Sequence, residues 1–82
     1  MIKILYFASL AEEINCSQEE LEVPSDNYTI QQLIEHLSSR SEQWQNAFNK
    51  TIIAAINQEM RNREYIIEDL DEVAFFPPVT GG

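Results

Sequence analysis

The stretch YTIQQLIEHL, residues 28–37, decides how this chain of 82 residues folds. Thr29 and Gln32 have the spacing of a capping box, in which two side chains satisfy free backbone N–H groups at the start of a helix. Apolar residues then recur at i, i+3, i+4 and i+7, and the resulting stripe must lie against a sheet. The stripe consists of Ile30, Leu33, Ile34 and Leu37. The pattern predicts one main helix over residues 28–40.

Strand-like segments flank this helix on both sides. β-branched and aromatic residues that alternate between two faces predict a strand at residues 2–7, with Lys3, Leu5 and Phe7 on its outer face. We predict further strands at residues 19–23, 51–56, 59–63 and 72–76, and a short second helix at residues 42–48. The first two strands are expected to form a hairpin across a loop that holds Cys16. Asn57-Gln58 is expected to be a second hairpin turn, because Asn tolerates the left-handed conformation.

The order of these elements predicts the fold class. Two strands, a helix and three strands form an α+β domain when the first and last strands lie adjacent and parallel in the middle of the sheet. The apolar segment 51–56 is also expected to be a central strand covered on both faces. We therefore predict a ubiquitin-like β-grasp fold, a mixed sheet of four to five strands covered by one main helix. Residues 1–76 would form this domain, and residues 77–82 a flexible C-terminal Gly-Gly tail.

The glycine and cysteine content excludes several classes of site. Glycine occurs only at Gly81 and Gly82. Phosphate-binding loops, dinucleotide fingerprints and the nucleophile elbows of hydrolases need internal glycine, so all three are excluded from the domain. With Cys16 as the one cysteine, an internal disulfide and multi-cysteine zinc sites are excluded too.

The charge of the chain limits its partners. Fourteen acidic and five basic residues give a net charge of −9, which repels phosphate backbones and anionic lipids and favours basic protein partners. The apolar run at residues 52–56 is far shorter than the roughly 20 residues that span a bilayer. His36 has no second histidine with which to hold a metal. We expect a soluble, cytoplasmic protein that binds no nucleic acid, membrane or metal.

The sequence ends in PPVTGG, residues 77–82, a segment without charge. The two prolines hold the backbone extended, and the four residues beyond them can reach roughly 13 to 14 Å. Glycine lacks Cβ, so Gly81-Gly82 fits a channel as narrow as a backbone and presents the terminal carboxylate uncrowded. Activation, for instance as an acyl-adenylate, would make this carboxylate reactive. The alternative is a frayed terminus without function.

Residues 71–82, DEVAFFPPVTGG, resemble the C-terminal signature of the small, sulfur-carrying subunit of molybdopterin synthase. The segments MIKILYFA, residues 1–8, and AAINQ, residues 54–58, are similar to the opening strand and central hairpin of that family. The resemblance implies that an E1-like adenylating enzyme uses ATP to activate Gly82. A sulfur donor then converts Gly82 to a thiocarboxylate, with Gly81 as its narrow neighbour.

The resemblance also implies the partners. The large subunit of molybdopterin synthase would hold the pterin substrate, cyclic pyranopterin monophosphate, and accept two sulfurs from the tail. The implied partner-binding residues are Phe7, Met60, Phe76, Pro77, Pro78, Val79 and Thr80. The chain would bind no cofactor itself and would act as the sulfur-donor subunit of the enzyme, not as a catalyst alone. A heterotetramer of two small and two large subunits is expected.

Two departures and three alternatives qualify this resemblance. The family often has a basic residue where Ala11 stands, and an Asp-Gly turn where Asp69-Leu70 stands, so this turn should use another type or carry strain. One alternative is a sulfur carrier for thiamine-thiazole synthesis, which generally lacks the Phe-Phe-Pro-Pro run. The others are a ubiquitin-like modifier that forms isopeptide bonds through Gly82, and a binding module with an inert tail.

Overall fold

The computed structural model describes residues 1–78 of the chain. This part contains five strands and three helices. In chain order they are β1 (Ile2–Tyr6), α1 (Ala8–Ile14), β2 (Gln18–Leu21), α2 (Ile30–Ser38), α3 (Glu42–Phe48), β3 (Ile53–Ile56), β4 (Glu59–Arg61) and β5 (Glu72–Phe76). All five predicted strands and both predicted helices are present, with shorter bounds for most of them.

The five strands form one mixed sheet in the order β2-β1-β5-β3-β4. β1 and β5 pair in parallel, and the other neighbours are antiparallel. The predicted adjacency of the first and last strands is therefore confirmed, and so is the β-grasp fold class. β5 occupies the middle of the sheet. β3 lies between β5 and β4, so the prediction of a central strand within residues 51–56 is confirmed for residues 53–56.

The core lies between the inner face of the sheet and the helices. Alternation along β5 turns Val73 and Phe75 inward, where both are completely buried. The stripe of α2 covers them, as its sequence spacing predicts, and its four apolar residues are all buried. Full burial of one such side chain stabilises the fold by about 1.5 to 3 kcal/mol.

The capping box at the start of α2 is confirmed. The Thr29 hydroxyl oxygen accepts a hydrogen bond from the Gln32 backbone N–H at 3.2 Å, and the Gln32 Oε1 atom accepts one from the Thr29 N–H at 2.9 Å. The next two N–H groups of the helix, those of Ile30 and Gln31, donate to carbonyl oxygens of Tyr65 and Arg63. The first turn of α2 is thus fixed by its own cap and by the segment after β4.

The connection between β1 and β2 differs from the prediction. β1 and β2 pair as expected, but the segment between them contains α1 rather than only a loop. Leu10 and Ile14, four residues apart, bury the inner side of this helix. Its N-cap residue, Phe7, provides no side-chain cap, and the helix ends at Asn15 in the left-handed conformation. A seven-residue helix without a capping side chain has little local sequence signal.

Both turns singled out in the sequence have positive φ angles at residues other than glycine. Asn57 and Gln58, at φ 50° and 73°, connect β3 and β4 as the predicted hairpin turn. Leu70 has φ 73° directly before β5. The strain expected at Asp69-Leu70 is therefore present, because a branched side chain is unfavourable in the left-handed region.

Candidate functional site

β5 carries the chain out of the middle of the sheet. It is hydrogen-bonded to β1 on one side and to β3 on the other, and it ends at Phe76. Pro77 and Pro78 follow, and because proline has no backbone N–H, they cannot extend the ladder. A strand that is paired on both sides therefore fixes the position of Pro77 and Pro78.

A row of apolar residues crosses the face of the sheet opposite the helices. Leu5 pairs with Ala74, Ala74 with Ala55, and Ala55 with Met60. Cross-strand partners point to the same face, so these four side chains lie side by side across four strands.

A second apolar row lies at the end of the sheet where the chain leaves it. Phe76 pairs with Ile53 across β5 and β3. The Phe7 backbone N–H donates to the Phe75 carbonyl oxygen at 3.1 Å, so Phe7 continues the parallel register beside Phe76. We call the two rows together the outer patch, which consists of Leu5, Phe7, Ile53, Ala55, Met60, Ala74 and Phe76.

The outer patch presents large apolar side chains to solvent. Met60 is 71% exposed and Phe7 46%, while Phe76 is half-buried. The alternation argument predicts Phe7 and Phe76 on the outer faces of their strands, and the structure agrees. Grouped exposed apolar residues usually mark an interaction site. Three of the residues predicted to bind a partner, Phe7, Met60 and Phe76, thus share one face, and their binding role stays a prediction.

Charged residues border the outer patch at the end away from the tail. Lys3 pairs with Glu20 of β2 on one side and with Glu72 of β5 on the other. An apolar centre with a charged margin is the usual anatomy of a protein interface. Lys3, Glu20 and Glu72 thus form a charged margin along one end of the outer patch.

Sequence reasoning missed Ile53 and Ala55 as members of this face. It treated their strand as covered on both sides, which gives no reason to assign an outward set. The predicted turn at Asn57-Gln58 contained the missing signal, because a two-residue turn sets the register and pairs Ala55 with Met60. Because Met60 is exposed, its cross-strand partner Ala55 lies on the outer face of β3.

A polar cluster that the sequence did not predict joins β2 to the segment after α2. Two guanidinium nitrogens of Arg40 each donate to a Glu19 carboxylate oxygen at 2.7 Å, and the Tyr6 hydroxyl donates to the same carboxylate at 2.8 Å. The Arg40 hydrogen bonds are the main reason that the pKa of Glu19 is lowered. Burial is the main reason that the pKa of Tyr6 is raised. The half-buried Cys16 thiol lies 4.0 Å from the Glu19 carboxylate. The cluster ties the β2 edge of the sheet to the helical layer.

Within residues 1–78, no three His, Cys, Asp or Glu side chains are grouped so that they could hold a metal ion. In the same part of the chain, no helix has the length and apolar character needed to cross a bilayer. His36 is exposed on α2.

Four of the predicted site residues lie outside the described part of the chain. They are Val79, Thr80, Gly81 and Gly82. Pro77 and Pro78 are described and directly follow the outer patch. The reactive role of the terminal glycine therefore stays a prediction from the sequence.

Comparison with known sequences identifies relatives along the whole chain. The model of the ThiS family matches residues 4–82. A protein from Escherichia coli (strain K12), named molybdopterin synthase sulfur carrier subunit, is 40% identical over 83 residues that cover 100% of both chains. A protein of the same name from Haemophilus influenzae is 39% identical, again over 100% of both chains. One from Dictyostelium discoideum is 34% identical over 98% of this chain and 94% of its own.

Solved structures share the fold. A putative molybdopterin converting factor, subunit 1, from Pyrococcus furiosus superposes with a TM-score of 0.80 at 25% identity, over 95% of this chain and 97% of the other. SAMP1 from Haloferax volcanii also gives a TM-score of 0.80, at 24% identity over 99% and 98% of the two chains, a likeness of fold alone. Because the family model spans nearly the whole sequence and the relatives are similar from end to end, the chain belongs to the ThiS family.

Proposed function

We propose that this chain is the small, sulfur-carrying subunit of a molybdopterin synthase and acts in molybdenum cofactor biosynthesis in the cytoplasm. The observation that carries the proposal is the end-to-end similarity, 40% and 39% identical, to two proteins named molybdopterin synthase sulfur carrier subunit. The outer patch supports it, because a carrier needs a surface for its partner next to the point where its tail starts.

The proposed activation takes place at Gly82. A carboxylate oxygen attacks the α-phosphorus of ATP in an E1-like enzyme, and pyrophosphate leaves. Hydrosulfide (HS⁻) supplied by the donor then attacks the acyl carbon, AMP leaves as the carbon–sulfur bond forms, and the S–H proton is lost to solvent. The product, a thiocarboxylate, is a much stronger and softer nucleophile than the carboxylate.

The proposed transfer takes place inside the large subunit. The outer patch docks on that subunit, and residues 77–82 carry the thiocarboxylate to cyclic pyranopterin monophosphate. The small subunit contributes proximity and the nucleophile, while the large subunit supplies the pocket and proton transfer. Since the dithiolene needs two sulfurs, each pterin requires two carrier molecules or two rounds of sulfur loading, and we propose a heterotetramer of two small and two large subunits.

Intact-mass measurement after co-expression with the activating enzyme and a sulfur donor tests this proposal. We expect a mass change equal to the exchange of one oxygen for sulfur, located at Gly82 by fragmentation. The same co-expression without the activating enzyme is the control and should leave the mass unchanged. Conjugates to lysine would indicate a protein modifier instead, and an unchanged mass in both samples would indicate an inert tail. Sulfur transfer to a thiazole precursor but not to the pterin would indicate the thiamine pathway.

A further inference from the structure

A groove of about 430 Å³ lies between α2 and the edge of the sheet formed by β4. Ile34, Ile52 and Ala54 form its apolar side, and Arg61, Arg63 and Glu64 form its polar side. It adjoins the outer patch only at Ile53. The groove thus has a different composition and a different location from the surface assigned to sulfur transfer.

The apolar side is built from both layers of the fold. Ile34 comes from the buried stripe of α2, and Ala54 from the inner face of β3. Ala54 pairs with Arg61 across β3 and β4, so the Arg61 side chain stands on the same face, at the margin of the sheet. An aliphatic floor therefore lies directly beside a guanidinium group.

Arg61 is held in place but keeps hydrogen-bonding capacity. Its guanidinium carbon lies 4.8 Å from the centre of the Tyr65 ring, and one of its nitrogens donates to a Glu59 carboxylate oxygen at 2.6 Å. The Glu59 side chain is 68% exposed, so this ion pair is screened by solvent and weak. A guanidinium group has five N–H donors, and several of them stay available to a ligand.

The charge of Arg63 is not balanced by a carboxylate. The Arg63 guanidinium donates to the Gln31 side-chain oxygen at 3.0 Å, and no acidic group of residues 1–78 lies within ion-pair distance of it. Arg40 and Lys50, by contrast, pair with Glu19 and Glu13.

The balance of charge in the groove is opposite to that of the whole chain. Two guanidinium groups and the one carboxylate of Glu64 line it, while the chain carries a net charge of −9. The backbone N–H groups of Ile30 and Gln31 are already used by carbonyl oxygens, so an anion would have to bind the arginines and not the start of α2. Paired arginines suit carboxylates, which accept two parallel hydrogen bonds from each.

We propose that this groove binds an acidic protein segment that carries aliphatic side chains. The aliphatic side chains lie on Ile34, Ile52 and Ala54, and the flanking carboxylates bind Arg61 and Arg63. β4 is an edge strand, so an extended segment can lie along it. The groove shares only Ile53 with the outer patch, and this interaction is separate from sulfur transfer.

An NMR titration of the full, isotope-labelled chain tests the proposal. The probe is the acetylated and amidated peptide Glu-Asp-Ile-Val-Glu-Asp. We expect amide shift changes at Ile52, Ala54, Arg61 and Arg63, and none at Phe7 of the outer patch, which follows β1 and is separated from β4 by two strands. The comparison peptides Lys-Lys-Ile-Val-Lys-Lys and Glu-Asp-Ser-Ser-Glu-Asp lack the charge or the aliphatic part, and neither should shift the groove residues at the same concentrations.

Variants separate the two parts of the site. The double variant R61Q/R63Q should weaken binding of the acidic peptide about tenfold, because two charge-assisted hydrogen-bonding groups are lost. Ile52→Ser should weaken binding of the acidic peptide through loss of the aliphatic contact alone. The double variant K3Q/K50Q removes the same charge outside the groove and should leave affinity unchanged.

Three results would overturn the proposal. These are equal binding of the basic peptide, shift changes confined to the outer patch, and unchanged affinity in both R61Q/R63Q and Ile52→Ser. Circular dichroism of each variant establishes that it is folded. Sedimentation of the labelled chain alone should show a monomer. A dimer in which a second copy occupies the groove would also contradict a separate acidic partner.

Discussion

Leu70 combines two unfavourable features in one residue. Its φ angle of 73° lies in the left-handed region, and its side chain is 84% exposed. The exposed side chain contributes little burial, and its Cβ opposes the left-handed backbone conformation. The turn before β5 is thus held by its surroundings, including the hydrogen bond from the Leu70 N–H to the Met1 carbonyl oxygen at 2.9 Å.

Replacement of Leu70 by glycine should stabilise the domain. Relief of the left-handed conformation is worth roughly 1 to 2 kcal/mol, and the extra freedom of glycine in the unfolded chain removes about 0.5 to 1 kcal/mol of that. We expect the free energy of unfolding in urea to rise by about 0.5 to 1 kcal/mol. Leu70→Ala is the control, because it keeps Cβ and should give no such gain. Equal stabilisation by both substitutions would show that the backbone strain is not the cause.

The outer patch allows a second prediction at the scale of single residues. If Phe76 anchors the proposed interface, Phe76→Arg should lower affinity for the large synthase subunit by about tenfold or more, since an aromatic contact becomes a desolvated charge. It should change the free energy of unfolding much less, because Phe76 is only half-buried. Ile66→Arg, at a residue 43% exposed outside the patch, is the matched control. Calorimetry that finds unchanged affinity for Phe76→Arg would place the docking surface elsewhere.

At the scale of elements, the sequence predicted the helix whose start is determined by residues close together in the chain. α2 begins where Thr29 and Gln32 predict, because both capping hydrogen bonds form within four residues. α1 lacks any such signal, because its N-cap residue is Phe7 and its first turn has no acidic residue. It is stabilised by tertiary contacts of Leu10 and Ile14, which a single sequence does not reveal.

In the candidate site, too, the sequence predicted the features that depend on one strand and missed those that depend on contacts between strands. Alternation within one strand predicted the outward direction of Phe7 and Phe76. Ile53 and Ala55 required the pairing between strands, which depends on turn geometry and burial. The ion pair between Glu19 and Arg40 joins residues 21 positions apart, and no spacing rule connects them. The resemblance supplied the role of the terminal glycine, which chemistry alone left as one alternative among several.

The link between β2 and the end of α2 should make stability depend on pH. The pKa of Glu19 is lower when folded than when unfolded, chiefly through its hydrogen bonds to Arg40. Its contribution is therefore present above the unfolded pKa, about 4.3, and is lost as the pH falls through the lower folded value. Glu19→Gln should cost about 1 kcal/mol at neutral pH, and the difference from wild type should shrink in acid.

Urea unfolding from neutral pH to about pH 3 measures this effect. Glu20→Gln, at the exposed neighbouring residue, is the control and should follow the wild-type pH curve near neutrality. A Glu19→Gln difference that stays constant across the whole pH range would contradict a role for the ionised carboxylate.

At the scale of the whole molecule, the net charge of −9 should control the rate of partner encounter. A basic surface on the large subunit would attract this chain over distances that salt screens. We expect the association rate, followed by stopped-flow fluorescence of Trp44, to fall about tenfold from low to high salt. The dissociation rate should change little, because the outer patch is mainly apolar. An association rate independent of salt would exclude electrostatic steering.

The proposed function requires that the domain carry a thiocarboxylate at Gly82 to the large subunit. The most direct test compares the full chain with a chain lacking Gly82, each mixed with the activating enzyme, sulfur donor, large subunit and cyclic pyranopterin monophosphate. We predict that the full chain yields molybdopterin, and that the shortened chain yields none while its unfolding midpoint and its affinity for the large subunit stay the same. Full sulfur transfer by the shortened chain would contradict the account.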